Sequence, residues 1–113
     1  MAVRATSNNT GISVRKVKRI VDLVRGKRVE EALETLQFMP SPAAARVARV
    51  LKSAAANAEN ELLARTSDLR IVEIYANEAS QVKRTRARAR GRSARIIRRS
   101  SHITVVVDEE KTE

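Results

Sequence analysis

Between Lys83 and Arg99, nine of 17 residues are basic, eight of them arginine, and none is acidic. This run, KRTRARARGRSARIIRR, does not stand at a terminus. It leads directly into SSHITVVV, where the β-branched residues predict a strand over His102–Val107. A chain that carries so much like charge inside its fold has to anchor the segment at both ends and keep it out of the core. The segment holds nine of the chain's 23 lysines and arginines and none of its 13 acidic residues, so the remainder is close to neutral. The net charge of +10 therefore belongs to one appendage, and it points to a polyanionic partner.

The rest of the chain has to supply the fold. Its 113 residues suit a single domain, expected over 1–113. Phe38 and Tyr75 are the only aromatic residues, so the core is expected to be built from Val, Ile, Leu and Ala. Cysteine is absent, which excludes a disulfide scaffold and a thiolate metal site and is compatible with a reducing compartment. No apolar run approaches the ~18 residues of a membrane span, and MAVRATSNN lacks the apolar stretch of a secretory signal. A soluble, intracellular protein is expected.

AVRAT is a short candidate strand. GISVRKVKRIVDLVRGK places Val17, Ile20, Val21 and Val24 at i, i+3, i+4 and i+7, one apolar stripe of a helix. Ser13 is its expected N-cap, and Gly26 is expected to close it in a left-handed conformation. Arg15, Lys16, Lys18, Arg19 and Arg25 line the other face, which is simply solvated unless it adjoins the arginine run. A second helix fits VEEALETLQFM, with Val29, Leu33 and Leu36 in phase, Ala32 beside them, and Glu30 and Glu31 near the positive end of its dipole. After PSP, Ser41 as a capping hydroxyl and Pro42 at the first helical position start a third helix to about Leu63. Val47, Val50, Leu51, Ala54, Ala58 and Leu62 mark its inner face. LRIVEIYA (Leu69–Ala76) reads as a strand, and the acidic end DEEKTE as a fraying terminus. Strands adjacent in sequence pair antiparallel, which makes the basic segment the connection of a very long hairpin, and helices beside an antiparallel sheet make the class α+β.

Within the basic segment two periodicities compete. Arg84, Arg86, Arg88, Arg90 and Arg92 fall at every second position and would share a face of an extended chain. Arg84, Arg88, Arg92, Arg95 and Arg99 would instead form a helical stripe, against which stand like-charge repulsion at i, i+4 and the cost of Gly91. A β-ribbon over 79–100, reversing near Arg88–Gly91, is the expectation. A free two-stranded ribbon is marginal in water, so this one should be mobile alone and ordered by a polyanion. Arginine in place of lysine suits bidentate contacts to phosphate and stacking on bases. Arginine-rich runs also occur as localisation signals and solvated linkers, but those are tails or linkers rather than segments tied into a fold at both ends.

Catalytic signals are lacking. His102 opens an apolar strand, Gly11, Gly26 and Gly91 are too scattered for a phosphate-cradling loop, and no carboxylates are paired. Neither an enzyme nor a cofactor or metal site is expected.

KRTRARARGRSARIIRRSSHITVVV resembles the signature of the universal large-subunit ribosomal protein family L-twenty-two, bacterial type. The resemblance rests on Lys83, on Arg88-Ala89-Arg90-Gly91-Arg92 and on His102-Ile103-Thr104-Val105. ISVRKVKRIVDLVRGK is similar to the family's first helix and VLKSAAANAEN to its long helix, so the likeness covers essentially the whole chain. It implies three helices packed on a three-stranded antiparallel sheet, with a long basic β-hairpin protruding from it. It also implies a structural constituent of the large ribosomal subunit, cytoplasmic, that binds 23S-type rRNA and aids subunit assembly. The implied rRNA-binding residues are Ser13, Arg15, Lys16 and Lys18 together with Lys83, Arg84, Arg86, Arg88, Arg90, Arg92, Arg95, Arg98 and Arg99. The hairpin tip, Arg88, Ala89, Arg90 and Gly91, would line the nascent-peptide exit tunnel. The implied partners are large-subunit rRNA, neighbouring ribosomal proteins including L-four, and the nascent polypeptide, with no membrane and no small-molecule substrate. The competing class is a DNA-architectural protein with basic β-ribbon arms, which typically dimerises and wedges an apolar residue or proline between bases. Ile96 and Ile97 are the apolar candidates for such a wedge, and no proline lies near the tip.

Overall fold

Val17, Ile20, Val21 and Val24 are all buried along α1 (Val14–Val24), and that stripe lays the helix against the sheet. The computed structural model describes residues 2–8, 10–79, 82–87, 89–91 and 93–109; at 82–86 and 93–98 it describes the backbone alone. After β1 (Val3–Ser7) and α1 come α2 (Val29–Gln37) and the long α3 (Pro42–Leu62). A single 3-10 turn then leads into β2 (Leu69–Glu78), β3 (Val82–Ala87), β4 (Ser93–Arg98) and β5 (Ser101–Glu109). Three helices thus pack on an antiparallel sheet of order β1-β5-β2, from which β3 and β4 continue as a separate two-stranded ribbon. This is the expected α+β class.

α3 buries Ala43, Ala44, Val47, Val50, Leu51, Ala54, Ala55 and Ala58 against the sheet and the other helices. The alanines let its backbone approach closely. β5 lies between β1 and β2, so Ile103, Val105 and Val107 are fully buried at the centre of the core. Neither aromatic residue belongs to that core: Phe38 is 76% exposed and Tyr75 is half-buried. In β2, Ile71 pairs with Val107 and Glu73 with Val106, which leaves Val72 without a register partner. Ordinary alternation after Ile71 already turns Val72 outward, to 53% exposure, and the extra residue of this bulge keeps Glu73 exposed as well and returns Ile74 to the core. The outer edge of β2 is occupied by the α1–α2 connection. The Ile71 N–H donates to the Lys27 carbonyl at 3.0 Å, and Arg70 Nε to the Gly26 carbonyl at 3.1 Å. The start of an otherwise open strand edge is thereby covered at Arg70 and Ile71.

Three sequence expectations need correction. Ser13 and Ser41 occupy the N-cap positions of α1 and α3, but neither hydroxyl makes a cap hydrogen bond. At α1 the Lys16 N–H, a usual target of a capping side chain, already donates to the Ser13 carbonyl at 3.1 Å. At α3, Pro42 removes one of the unpaired N–H groups itself. Gly26 is left-handed as expected, with φ +79°, and it closes α1 through a type II turn. Arg25 is extended, and the Lys27 N–H donates to the Val24 carbonyl at 3.2 Å. Finally, Asp108 and Glu109 continue β5 instead of fraying, opposite Arg70 and Leu69, where Arg70 and Asp108 set opposite charges across the register. The remainder of that terminus, 110–113, lies outside the described residues.

Candidate nucleic-acid interface

The basic segment is two strands joined by a turn. Val82 pairs with Arg98, Lys83 with Ile97, Arg84 with Ile96, Thr85 with Arg95, Arg86 with Ala94 and Ala87 with Ser93. Six paired residues carry each arm about 20 Å outward at ~3.3 Å per residue, and the molecule measures 70 × 25 × 17 Å. Helix is excluded for these strands, and so is one continuous arginine face from Arg84 to Arg92. The strand ends at Ala87, and the turn Ala89–Gly91 reverses the chain with Arg90 and Gly91 both left-handed, at φ 61° and 72°. Register positions Arg84 and Arg86 fall on the ribbon face of Arg98, whereas Lys83 falls on that of Arg95. Ala89, Arg90 and Gly91 are exposed at the tip, and Arg88 and Arg92 lie outside the described residues.

At the other end the ribbon meets α1. Arg99 and Ser100 line one cleft with Ser13, Arg15, Lys18 and Glu78. Arg99 also lines a second cleft with Gly11, Ser13, Lys16, Ser41 and Pro42. The start of α1 therefore stands between two clefts that share Arg99, and the start of α3 closes the second. Neither helix has an acidic residue in its first turn or a hydroxyl capping its free N–H groups. Helix N-termini carry partial positive charge, so Arg15, Lys16, Lys18 and Arg99 add their charge to a field of the same sign. Glu78 is the one carboxylate lining either cleft among the described residues. Glu59 and Glu61 sit near the far end of α3, roughly 25 Å from Pro42 at 1.5 Å per residue. A surface of this kind can hold phosphates by charge and N–H donation.

The structure thus brings Ser13, Arg15, Lys16 and Lys18 together with Arg99 and separates them from the tip Ala89–Gly91. Arg25 leaves the basic face of α1: it pairs with Asp22 at 2.8 Å and donates to the Ile74 carbonyl at 3.2 Å, tying α1 to β2. Sequence reasoning missed the contacts that bring Arg99 to α1. Thr10 and Ser101 are buried and their hydroxyls lie 2.7 Å apart, while the Gly11 N–H donates to Ser100 Oγ at 2.9 Å. The only signals for them were the polar turn NNTG and the serine pair after the last arginines.

A family model described as ribosomal protein L22p/L17e matches residues 5–108. A protein of Dehalococcoides mccartyi named large ribosomal subunit protein uL22 is 56% identical over 107 residues, covering 95% of this chain and 98% of its own length. Its counterpart in another strain of that species is 55% identical over the same span. A protein of the same name in Desulfatibacillum aliphaticivorans is 47% identical over 109 residues, covering 96% of this chain and all of its own.

Proposed function

The chain belongs to the ribosomal protein L22p/L17e family, and from that premise we propose that it binds large-subunit rRNA through one continuous basic surface running from the start of α1 along the hairpin. As a family member it is a structural, non-enzymatic constituent of the large ribosomal subunit, in the cytoplasm. The observation that carries the RNA reading is the position of Arg99. It stands against Ser13, Arg15 and Lys18, so the hairpin's charge continues into the body's uncapped helix start. Ser13, Arg15, Lys16 and Lys18 hold backbone phosphates at the body. Lys83, Arg84, Arg86, Arg88, Arg90, Arg92, Arg95, Arg98 and Arg99 hold them along the arm. A protein clamped to RNA at two places about 20 Å or more apart joins separate parts of the rRNA, which is how it aids subunit assembly. The tip residues Arg88, Ala89, Arg90 and Gly91 line the exit tunnel, near L-four and the nascent chain.

Binding of the purified protein to transcribed large-subunit rRNA and to duplex DNA at equal phosphate concentration, over a salt series, tests the first claim. Six phosphate contacts give a log–log slope of roughly −4 to −5, with rRNA preferred at every salt concentration. Equal affinity for the duplex, together with a dimer in solution, would replace this reading with that of a DNA-architectural protein. For the tip, a photocrosslinking residue at Ala89 in ribosomes carrying a stalled nascent chain should crosslink to that chain, and absence of the product would remove the tunnel claim.

A further inference from the structure

Among the described residues the ribbon has neither a third strand nor a helix beneath it, and such a ribbon has little to hold its direction. Its aim is set where it leaves the body. There Ala79 and Ser100 make the last body-side hydrogen bond, Ala79 N–H to Ser100 carbonyl at 3.1 Å, and the next described pair is Val82 with Arg98. Two residues intervene on the outgoing arm and Arg99 alone on the return arm, so the register slips by one. Such slips bend and twist an antiparallel pair, and the ladder is least able to fix a direction at the point where the direction is decided.

That point is gripped from the side. The Thr10 N–H donates to the Ser101 carbonyl at 3.0 Å, the two hydroxyls meet at 2.7 Å, and Gly11 N–H donates to Ser100 Oγ at 2.9 Å. Thr10 is 5% exposed and Ser101 fully buried, which makes them two of the three buried polar residues among those described. Thr10 Oγ1 also accepts the Ile12 N–H at 3.3 Å, which folds the loop leading into Ser13. The same serine pair therefore holds the outgoing strand through the Ser100 carbonyl and the loop before α1 through both hydroxyls.

We propose that Thr10, Ser100 and Ser101 are positioning residues, a latch that fixes the direction of the hairpin relative to α1 and presents Arg99 beside Arg15 and Lys18. The purpose rests on the RNA-binding reading: two surfaces held in a set geometry engage one RNA without losing the freedom of a loose arm. The geometric part stands apart from it.

The chain contains no cysteine, so spin labels at Ala56→Cys on α3 and Ala87→Cys on the outgoing arm report the direction of the hairpin in full-length protein. Thr10→Val and Ser100→Ala, each in that background, should at least double the width of the distance distribution, and Thr10→Ser should restore it. Both variants should bind rRNA about 5- to 10-fold more weakly with an unchanged salt slope, because the phosphate contacts remain and only their arrangement is lost. Ser100→Ala, which removes a half-buried hydroxyl, keeps the test open should Thr10→Val fail to fold. Unchanged widths in folded variants would overturn the latch, as would an affinity loss accompanied by a shallower slope. Should the unaltered protein show no preference for rRNA, the RNA reading fails, and the distance distributions still decide whether the latch exists.

Discussion

Gly26 and Gly91 hold nearly the same left-handed backbone angle, φ +79° and +72°, and at neither would a Cβ meet any atom within 4 Å. Alanine at either position therefore costs only the left-handed conformation, about 1 kcal/mol. What differs is the structure built on each. The turn at Gly26 sets its own carbonyl on Arg70 and the Lys27 carbonyl on Ile71, and so joins α1 to the sheet edge. Gly91 turns only the tip of the ribbon. Gly26→Ala is expected to lower the melting temperature by about 4–8 °C, whereas Gly91→Ala should leave it unchanged, both followed by circular dichroism. An equal fall in the two would show that the ribbon melts together with the body.

α1 and α3 are charged against their dipoles. α1 carries Arg15, Lys16 and Lys18 at its start, and α3 has Arg46, Arg49 and Lys52 in its first half with Glu59 and Glu61 near its end. A helix arranged for stability alone has the reverse polarity. Lys16→Glu would place a negative charge in the first turn of α1, at the positive end of its dipole. It should raise the stability of the free protein by about 0.5–1 kcal/mol while weakening rRNA binding, so that the melting temperature and the affinity move in opposite senses. A rise in both would mean that Lys16 does not face RNA. The apolar stripes of the helices were legible in the sequence because they are local: Val17, Ile20, Val21 and Val24 repeat within eight residues, and all four are buried. The β1–β5 pairing joins residues 96 to 104 positions apart and the Thr10–Ser101 contact residues 91 apart, and a hydroxyl pair has no period to betray it. The alternation of arginines from Arg84 to Arg92 was misleading for the opposite reason, since a regular pattern ran straight across the turn.

At the scale of the whole molecule, the body and the arm make different demands. The described core cluster draws only on residues from Val3 to Ala76 and on Ile103, Val105 and Val107, and the sheet that organises it closes at the Ala79–Ser100 hydrogen bond. The ribbon beyond that bond adds length and charge. Removing Thr85–Ser93 joins Arg84 to Ala94 and leaves Ala94 and Arg95 as a two-residue connection between the register partners Arg84 and Ile96, the shortest common hairpin loop. The truncated protein should unfold in one cooperative transition with a stability within about 0.5 kcal/mol of the full chain. Its RNA binding should change in kind as well as in strength. Arg86, Arg88, Arg90 and Arg92 leave with the tip, which makes the salt slope shallower by about 3 if each neutralises one phosphate, while Arg15, Lys16, Lys18 and Arg99 continue to hold the RNA at the body. Urea unfolding and a salt series on the same preparation measure both. A broad, non-cooperative transition would mean that the arm contributes to the core, and an unchanged slope would mean that the tip arginines meet no phosphate, leaving the RNA to the surface around α1 alone.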